Sequence, residues 1–209
     1  AFLAFSGVMR RMEQTIGPQN GPRSSITPIL SDDCLPVMIT SDSRNNKKYL
    51  KVLQWNIWHG GKHLGKDGRE RIIDLIKQSG ADVVTMQEGY GSQEMIAKAI
   101  GFNLQTSSPG DNLCLFSRYP IQKIKTKNTF YSNPAIITLP SGKKVYVNAC
   151  WLRYAYRPEY TCYYANYGMD THRWAAEDSI LALVDMKRLL ENDLIPYVDS
   201  SMPVIIGGG

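Results

Sequence analysis

Two apolar runs in the middle of the chain each end in polar residues that a buried strand does not normally contain. Residues 51–58 read KVLQWNIW, and residues 83–88 read VVTMQE. Both are short and mostly apolar, which predicts two internal strands. Because a helical pattern separates them, the two strand ends are expected side by side at one edge of a sheet. Asn56, Gln87 and Glu88 would then lie together, where a carboxylate and an amide suit a divalent cation and a phosphate ester.

Two amphipathic segments near these strands predict helices. The first carries three isoleucines on one face, and each segment is followed by a glycine, the residue that most often ends a helix. A serine before the second segment is a candidate cap. The predicted helices span residues 67–79 and 92–100, with stops at Gly80 and Gly101 and the candidate cap at Ser92.

Beyond residue 101 the apolar pattern changes to a period of two, which predicts successive strands. A long helix is predicted from residue 170 or 171 to about 192, followed by a last strand at 204–206. The order of helices and strands predicts an α/β (α+β) layered fold. The predicted strands of this half are residues 113–117, 121–127, 135–139 and 143–152.

Four blocks of the sequence, in this order, resemble the signature blocks of the endonuclease/exonuclease/phosphatase superfamily. The first two are the strand ends at Asn56 and Glu88. The third is LFSRYPI at residues 115–121, and the fourth is PVIIGG at residues 203–208. This superfamily includes DNase-type nucleases, apurinic endonucleases, sphingomyelinases and inositol polyphosphate phosphatases. The resemblance implies a DNase-like four-layer sandwich of two packed β-sheets flanked by helices.

The resemblance also implies a metal-dependent phosphoesterase that hydrolyses phosphodiesters or phosphomonoesters. Glu88 would be the principal carboxylate ligand of Mg²⁺ (or Mn²⁺), which would remove the cost of burying an unpaired carboxylate. Asn56 would lie near the metal and the scissile phosphate, since its amide can donate to a phosphate oxygen. The structural alternatives are a carboxylate facing water and an asparagine bonded to the backbone. Gln87 is predicted to support the site rather than enter it.

The sequence departs from the family pattern where a histidine normally contacts the phosphate. The matching stretch, residues 148–152, reads NACWL, so either Cys150 or Trp151 stands in that position. Tryptophan cannot accept a proton or bind phosphate as an imidazolium does. Either another donor replaces the histidine, or the activity is altered or lost. The second case gives the alternative function, a noncatalytic module that binds a phosphate ligand or nucleic acid.

Five residues are candidates for substrate binding. His59 and His63 follow the first strand on an expected flexible loop, where they either supply the missing donor or face solvent. His172 near a helix start is predicted to be structural or to line the substrate. Arg153 and Tyr156 open a segment rich in arginine and tyrosine. Such a cluster suits a phosphate-bearing or ring-containing ligand, and equally a loop that packs on itself.

The ends of the chain suggest a domain that is not complete. In the family pattern an aspartate and an asparagine follow the glycine pair, and a later SDH block completes the site. Gly209 stands where that aspartate is expected. We therefore expect residues 48–209 to be a partial domain, truncated before the second sheet is complete, and inactive alone. Residues 1–47 are predicted to be a leader or linker, in which residues 8–47 are rich in Ser, Pro, Asn, Asp and Gly, and residues 1–7 are either the end of a signal peptide or part of the leader itself.

Composition adds limited information about partners. The formal net charge of +5, from 24 Lys+Arg against 19 Asp+Glu, is compatible with a phosphate-ester substrate and equally with a solvated basic surface. Nucleic acid, phospholipid and small phosphoesters all stay open. No stretch approaches the roughly 20 apolar residues of a membrane span. We expect a monomer, secreted or periplasmic if the signal peptide is real and cytoplasmic otherwise.

The cysteines do not suggest a metal or redox centre. The chain contains four, and their spacing fits no zinc or C-x-x-C motif. Cys114 and Cys150 lie in apolar strand-like runs, which predicts buried free thiols.

Overall fold

The computed structural model describes residues 2–5, 37–39, 49–107, 112–153 and 171–208, with the side chains of 2–5, 37–39 and most of 171–178 left out. The helices are α1 (Gly68–Ser79), α2 (Gln93–Ile100) and α3 (Thr171–Arg188). The strands are β1 (Phe2–Phe5), β2 (Val37–Ile39), β3 (Val52–Asn56), β4 (Val83–Gln87), β5 (Asn103–Thr106), β6 (Leu113–Ser117), β7 (Ile121–Lys123), β8 (Ser132–Thr138), β9 (Lys144–Cys150) and β10 (Val204–Gly208).

The first sheet, in the order β2-β3-β4-β6-β5, carries both strand ends singled out by the sequence. β3 and β4 run parallel, and Asn56 lies opposite Gln87 in their register. β6 runs antiparallel to β4, so that Leu113 at its start lies opposite Gln87. The ends of β3 and β4 and the start of β6 therefore meet at one edge, as the two apolar runs predicted.

The second sheet has the order β1-β10-β9-β8-β7. β9 and β10 run parallel, with Gly208 opposite Cys150, while β8 runs antiparallel with Ser132 opposite Cys150. β1 and β2 come from the predicted leader, and each adds a strand to the end of one sheet. The proposed domain boundary near residue 47 stays a prediction.

Three apolar clusters define four layers, helix–sheet–sheet–helix. Each fully buried aliphatic side chain in them contributes about 1.5–3 kcal/mol. Between the first sheet and α1 and α2 lie Leu53, Ile72, Ile76, Met86, Ile96 and Phe116. Between the two sheets lie Val52, Val83, Leu115, Ala135, Ile137, Val145 and Val147. Outside the second sheet, Ile136, Tyr146, Cys150 and Ile206 pack against Leu189 just after α3.

Most predicted elements are present with small shifts at their ends. α1 and α2 stop before Gly80 and Gly101 as predicted. α3 begins at Thr171 and continues as a π-helical turn, Leu189–Leu194. β5 was not predicted, because its four residues, NLQT, carry a single apolar side chain. In the described part of the chain, no helix is long and apolar enough to cross a membrane.

Two segments differ from their predictions for identifiable reasons. The predicted strand 121–127 ends at Lys123, because Thr126 turns inward and its hydroxyl donates to Asp193 at 2.9 Å. The predicted flexible loop after β3 is instead a kinked pair of 3₁₀-type turns, His59–Leu64, which we call the 3₁₀ segment. Its Gly60 and Gly61 are buried and have left-handed φ angles of 68° and 75°. This second correction concerns the residues that border the candidate site.

Candidate active site

Asn56 and Glu88 meet at the edge where β3 and β4 end. The Asn56 amide donates to Oε1 of Glu88 at 3.0 Å. Its own oxygen accepts a hydrogen bond from the backbone N–H of Trp58 at 2.9 Å, which fixes the direction in which the amide points. The prediction that these two residues lie together is therefore confirmed, and the amide predicted to face a phosphate is directed at the carboxylate.

The Glu88 carboxylate is held at both oxygens. Oε2 accepts a hydrogen bond of 2.7 Å from the backbone N–H of His59, in addition to the bond that Asn56 makes to Oε1. The Glu88 side chain is 13% exposed. A carboxylate has about four lone-pair positions, so two positions remain for another ligand at a partly open surface.

The backbone around Glu88 is strained at several residues that are not glycine. Positive φ angles occur at Trp58 (49°), His59 (51°), Glu88 (60°) and Tyr90 (36°). Each such conformation costs on the order of 1–3 kcal/mol and persists only where surrounding contacts enforce it. One such contact is the 2.7 Å bond from the Gly60 N–H to the Glu88 carbonyl. Strain of this kind concentrates at functional sites.

Asn112 is a member of this site that the sequence did not reveal. Its Oδ1 accepts a 3.1 Å bond from the Glu88 N–H, and its carbonyl accepts from the Gly89 N–H at 3.3 Å. The residue is 5% exposed, and its Nδ2 has no hydrogen-bond partner among the residues that the structure describes. Its place directly before β6 was the available signal, because β6 pairs with β4.

Gln87 lies beneath the site and joins the two sheets. The Gln54 amide donates to its Oε1 at 2.7 Å, while its own amide donates to the carbonyls of Cys150 and Gly207 at 3.4 Å. Gln87 is fully buried. These bonds bring the ends of β9 and β10 next to Gln87, the residue before Glu88, which agrees with the supporting role predicted for Gln87.

Of the two loop histidines, His59 lies beside the carboxylate and His63 contacts the His59 ring. His59 Nε2 is 3.9 Å from Oε2 of Glu88. The His63 ring is 5.1 Å from the His59 ring and stacks on Trp58 at 4.4 Å, while Tyr90 lies 5.5 Å from His59. The structure therefore places both histidines at the site, and their role in substrate binding stays a prediction.

The family model for the endonuclease/exonuclease/phosphatase family matches residues 53–208, which include all of these residues. The chain belongs to this family. Members are hydrolytic nucleases and phosphatases, and the two packed sheets flanked by helices are the DNase-like fold of the family. A comparison with curated proteins gives no significant match.

Solved structures of the family resemble the chain at low identity. An AP endonuclease from Archaeoglobus fulgidus has a TM-score of 0.47 and 16% identity, over 76% of this chain and 56% of that one. AP endonuclease LMAP from Leishmania major has a TM-score of 0.46 and 11% identity, over 76% and 54%. A family protein from Beutenbergia cavernae DSM 12333 has a TM-score of 0.43 and 16% identity, over 75% and 46%. The chain thus spans about half the length of these structures.

The two residues that stand where the family histidine is expected, Cys150 and Trp151, provide no imidazole. Cys150 is fully buried in the cluster outside the second sheet, and burial raises the pKa of its thiol to about 12. Trp151 is partly buried, and its backbone N–H donates to the Tyr131 carbonyl at 3.0 Å. Cys114 and Cys150 are both buried free thiols, as predicted.

Arg153 forms an ion pair within the protein. Its Nη2 lies 2.7 Å from Oδ1 of Asp185, and its Nε also donates to that carboxylate. The hydrogen bonds that the Arg153 guanidinium donates to Asp185 raise the pKa of Arg153. The guanidinium also lies 5.2 Å from the Tyr131 ring. Substrate binding by Arg153 stays a prediction.

The side chains of two other candidates, Tyr156 and His172, lie outside the described part of the structure. Tyr156 lies outside the described residues. His172 lies in the first turn of α3, and its side chain is outside the described part. Their predicted contacts with substrate therefore stay predictions.

The donor set at the edge suits a magnesium site with few protein ligands. Among the described residues, no group of three or more His, Cys, Asp or Glu side chains could hold a metal ion. Mg²⁺ is commonly bound through one or two carboxylates, with waters and substrate phosphates completing its shell. Glu88, with free lone pairs and a partly open surface, fits one such position.

Proposed function

We propose that the protein hydrolyses phosphoesters with the help of a divalent ion, Mg²⁺ or Mn²⁺, bound at Glu88. The observation that supports this most is the Asn56–Glu88 pair. The ends of two parallel strands bring the Glu88 carboxylate to the Asn56 amide. That amide and the His59 backbone N–H orient the carboxylate. A bound ion would supply Lewis-acid polarisation of the phosphoryl group and stabilise charge on the leaving oxygen.

The residues of the chain would orient and support the ion. The bonds from Asn56 and His59 hold the Glu88 carboxylate in one direction. Asn112 and Gly60 hold the backbone of Glu88. Partners of this kind commonly change metal affinity or activity by about 10–100-fold when they are removed. A pre-oriented carboxylate needs little rearrangement when the ion and a phosphate arrive.

We further propose that residues 1–209 alone bind the ion without turnover, because hydrolysis by the protein would require a phosphate-contacting imidazole that these residues do not place on β9. Cys150 and Trp151 supply no imidazole for the phosphate, and the Cys150 thiol is buried. With Mg²⁺ and bis(4-nitrophenyl) phosphate, no release of 4-nitrophenol is expected. Clear turnover that Glu88→Ala abolishes would contradict this part of the proposal.

A second candidate function is a noncatalytic module that binds a phosphate ligand or nucleic acid. The same Cys150–Trp151 pair favours it, because the phosphate-binding histidine is absent from β9. The intact protein would then bind a phosphate ligand tightly without turnover. In a hydrolase the bound ligand would be consumed.

The main test measures metal binding directly. Mn²⁺ binding to the chain can be followed by electron paramagnetic resonance, with Mg²⁺ as competitor. Glu88→Gln keeps the size of the side chain and is expected to weaken binding more than about tenfold. Glu191→Gln is the control, since Glu191 is 55% exposed and lies on the far side of the second sheet, after α3. Equal affinities for the chain and Glu88→Gln would refute metal binding at Glu88.

A further inference from the structure

Four aromatic rings form one continuous surface beside Glu88, which we call the aromatic rim: Trp58, His59, His63 and Tyr90. Trp58 and His63 are stacked, with centroids 4.4 Å apart and planes 26° apart. His59 contacts both His63 and Tyr90. Because His59 Nε2 lies 3.9 Å from Glu88 Oε2, the rim passes the carboxylate at His59 and continues through His63 to Trp58.

The outer part of the rim is open to solvent. Trp58 keeps 50% of its surface exposed, whereas Trp55, three residues earlier, is 5% exposed. The His59 side chain is 57% exposed. A tryptophan ring stabilises the fold most when it is buried. Half of the Trp58 surface is therefore available to a ligand held beside Glu88.

Hydrogen bonds to the backbone of the 3₁₀ segment hold the rim in place. The Gly61 N–H is bonded to the carbonyls of Ile57 at 3.0 Å and Trp58 at 3.1 Å. The Ser92 hydroxyl donates to the Gly60 carbonyl at 2.7 Å. The sequence suggested that the Ser92 side chain caps α2, but it makes no such bond. Ser92 instead anchors the 3₁₀ segment. Rings that are fixed before binding lose little entropy when a ligand stacks on them.

We propose that Trp58, supported by His63, is a stacking subsite for a flat ring carried by the phosphoester. The inference rests on the proposed function, because the metal at Glu88 would hold the phosphate while the rim holds the ring. Stacking on an aromatic side chain is worth about 1–3 kcal/mol per base and tolerates different rings. A nucleotide has such a ring, whereas a choline or inositol phosphate does not. The rim therefore favours ring-bearing phosphoesters as the substrate class.

The test compares two ligands that differ only in the ring. Binding of adenosine 5′-monophosphate and of ribose 5-phosphate to the full chain is measured by calorimetry with Mg²⁺ present. The ring-bearing ligand is expected to bind roughly 5-fold to 150-fold more tightly. Trp58→Ala should reduce this preference to nearly one, and Trp58→Phe should retain most of it. Tyr49→Ala is the matched control, because Tyr49 is 55% exposed and precedes β3 at the opposite edge of the sheet.

The outcomes separate this inference from the proposed function. Equal affinities for the two ligands, no measurable binding of either, or a preference that survives Trp58→Ala would each overturn the stacking subsite. None of those results would contradict the metal proposal, which is tested separately by the loss of Mn²⁺ binding in Glu88→Gln. Conversely, a Trp58-dependent preference together with unchanged Mn²⁺ binding in Glu88→Gln would retain the subsite and refute the metal proposal. The Trp58→Phe variant guards against misfolding, because it keeps an aromatic ring on the same backbone.

A second ligand pair shows how general the subsite is. Phenyl phosphate carries a flat ring and ethyl phosphate does not. The phenyl ring lacks the hydrogen-bonding groups of a nucleobase, so this pair tests stacking alone. A Trp58-dependent preference in both pairs supports a site for any flat ring. A preference confined to adenosine monophosphate supports a site for a nucleobase.

Discussion

The Asn56 amide donates a 3.0 Å hydrogen bond to the Glu88 carboxylate and thereby joins the ends of two parallel strands. The two residues are 32 positions apart in the sequence, with α1 between them. The bond has a direction, because the Trp58 N–H occupies the Asn56 oxygen and leaves the amide N–H₂ to face Glu88. Asn56 is therefore the residue whose removal should free the carboxylate without altering its charge.

Asn56→Ala is expected to weaken Mn²⁺ binding roughly 10–100-fold, because Glu88 loses the donor that orients it. The variant should also lose about 1–3 kcal/mol of unfolding free energy. Asn103→Ala is the matched control. Asn103 donates to the carbonyls of Ser117 and Tyr119 at the opposite edge of the sheet, so its loss should affect stability but not metal binding. An Asn56→Ala variant that binds Mn²⁺ normally would show that Glu88 needs no orienting amide.

Gly60→Ala should damage both the rim and the fold. Gly60 has φ 68°, and an added Cβ would lie 2.6 Å from Ser92 Oγ and 2.8 Å from the Gly89 carbonyl. We expect a loss of about 2–4 kcal/mol in urea unfolding, from backbone strain and overpacking together.

Gly142→Ala separates these two causes. Gly142 has φ 79° but nothing within 4 Å of an added Cβ, so only the strain of about 1–2 kcal/mol applies. If Gly60→Ala lowered the free energy of unfolding no more than Gly142→Ala, the close contacts of Gly60 with Ser92 and Gly89 would not contribute to its cost.

The elements that position the site could be predicted because their signals are local. Apolar runs marked β3, β4 and β6, and glycines marked the ends of α1 and α2. Polar residues at the ends of β3 and β4 then indicated where the site lies. This worked because parallel strands joined by a helix bring their ends to the same edge.

The contacts that complete the site could not be predicted, because they depend on residues far apart in the chain. Asn112 reaches the Glu88 N–H across 24 positions, and Asp185 reaches Arg153 across 32. The left-handed conformations of Trp58 and Glu88 are also not encoded locally, since neither residue type favours positive φ. Tertiary hydrogen bonds impose them, which is why a flexible loop was expected where a rigid segment lies.

Arg153→Ala should destabilise the protein, because it leaves the buried Asp185 carboxylate poorly paired. The Asp185 side chain is 2% exposed, and the next cation among the residues that the structure describes, Arg188, is 4.0 Å away. Removing one partner of a buried ion pair typically costs about 3–5 kcal/mol, and we expect the lower end because Arg153 itself is 30% exposed. The measurement is urea unfolding monitored by circular dichroism.

The control for Arg153→Ala is a surface ion pair that begins on α3, the helix that carries Asp185. Lys187 pairs with Glu191 at 3.8 Å, and their side chains are 73% and 55% exposed. Lys187→Ala should therefore change stability by less than about 1 kcal/mol. If Arg153→Ala lowered phosphate binding and left stability unchanged, Arg153 would be a substrate ligand, as the sequence suggested, rather than a structural partner of Asp185.

The Cys150 thiol should not react in the folded protein. Burial raises its pKa from 9.0 to about 12, so the thiolate is scarce at pH 8 and the sulfur is also inaccessible. Iodoacetamide followed by peptide mapping should leave Cys150 unmodified in buffer and label it in urea. Because the folded pKa is the higher one, the stability that the neutral thiol contributes is complete below about pH 9 and declines as the pH rises towards 12. Rapid labelling of Cys150 in buffer would place the thiol at the surface beside the site, where it could take the place of the family histidine.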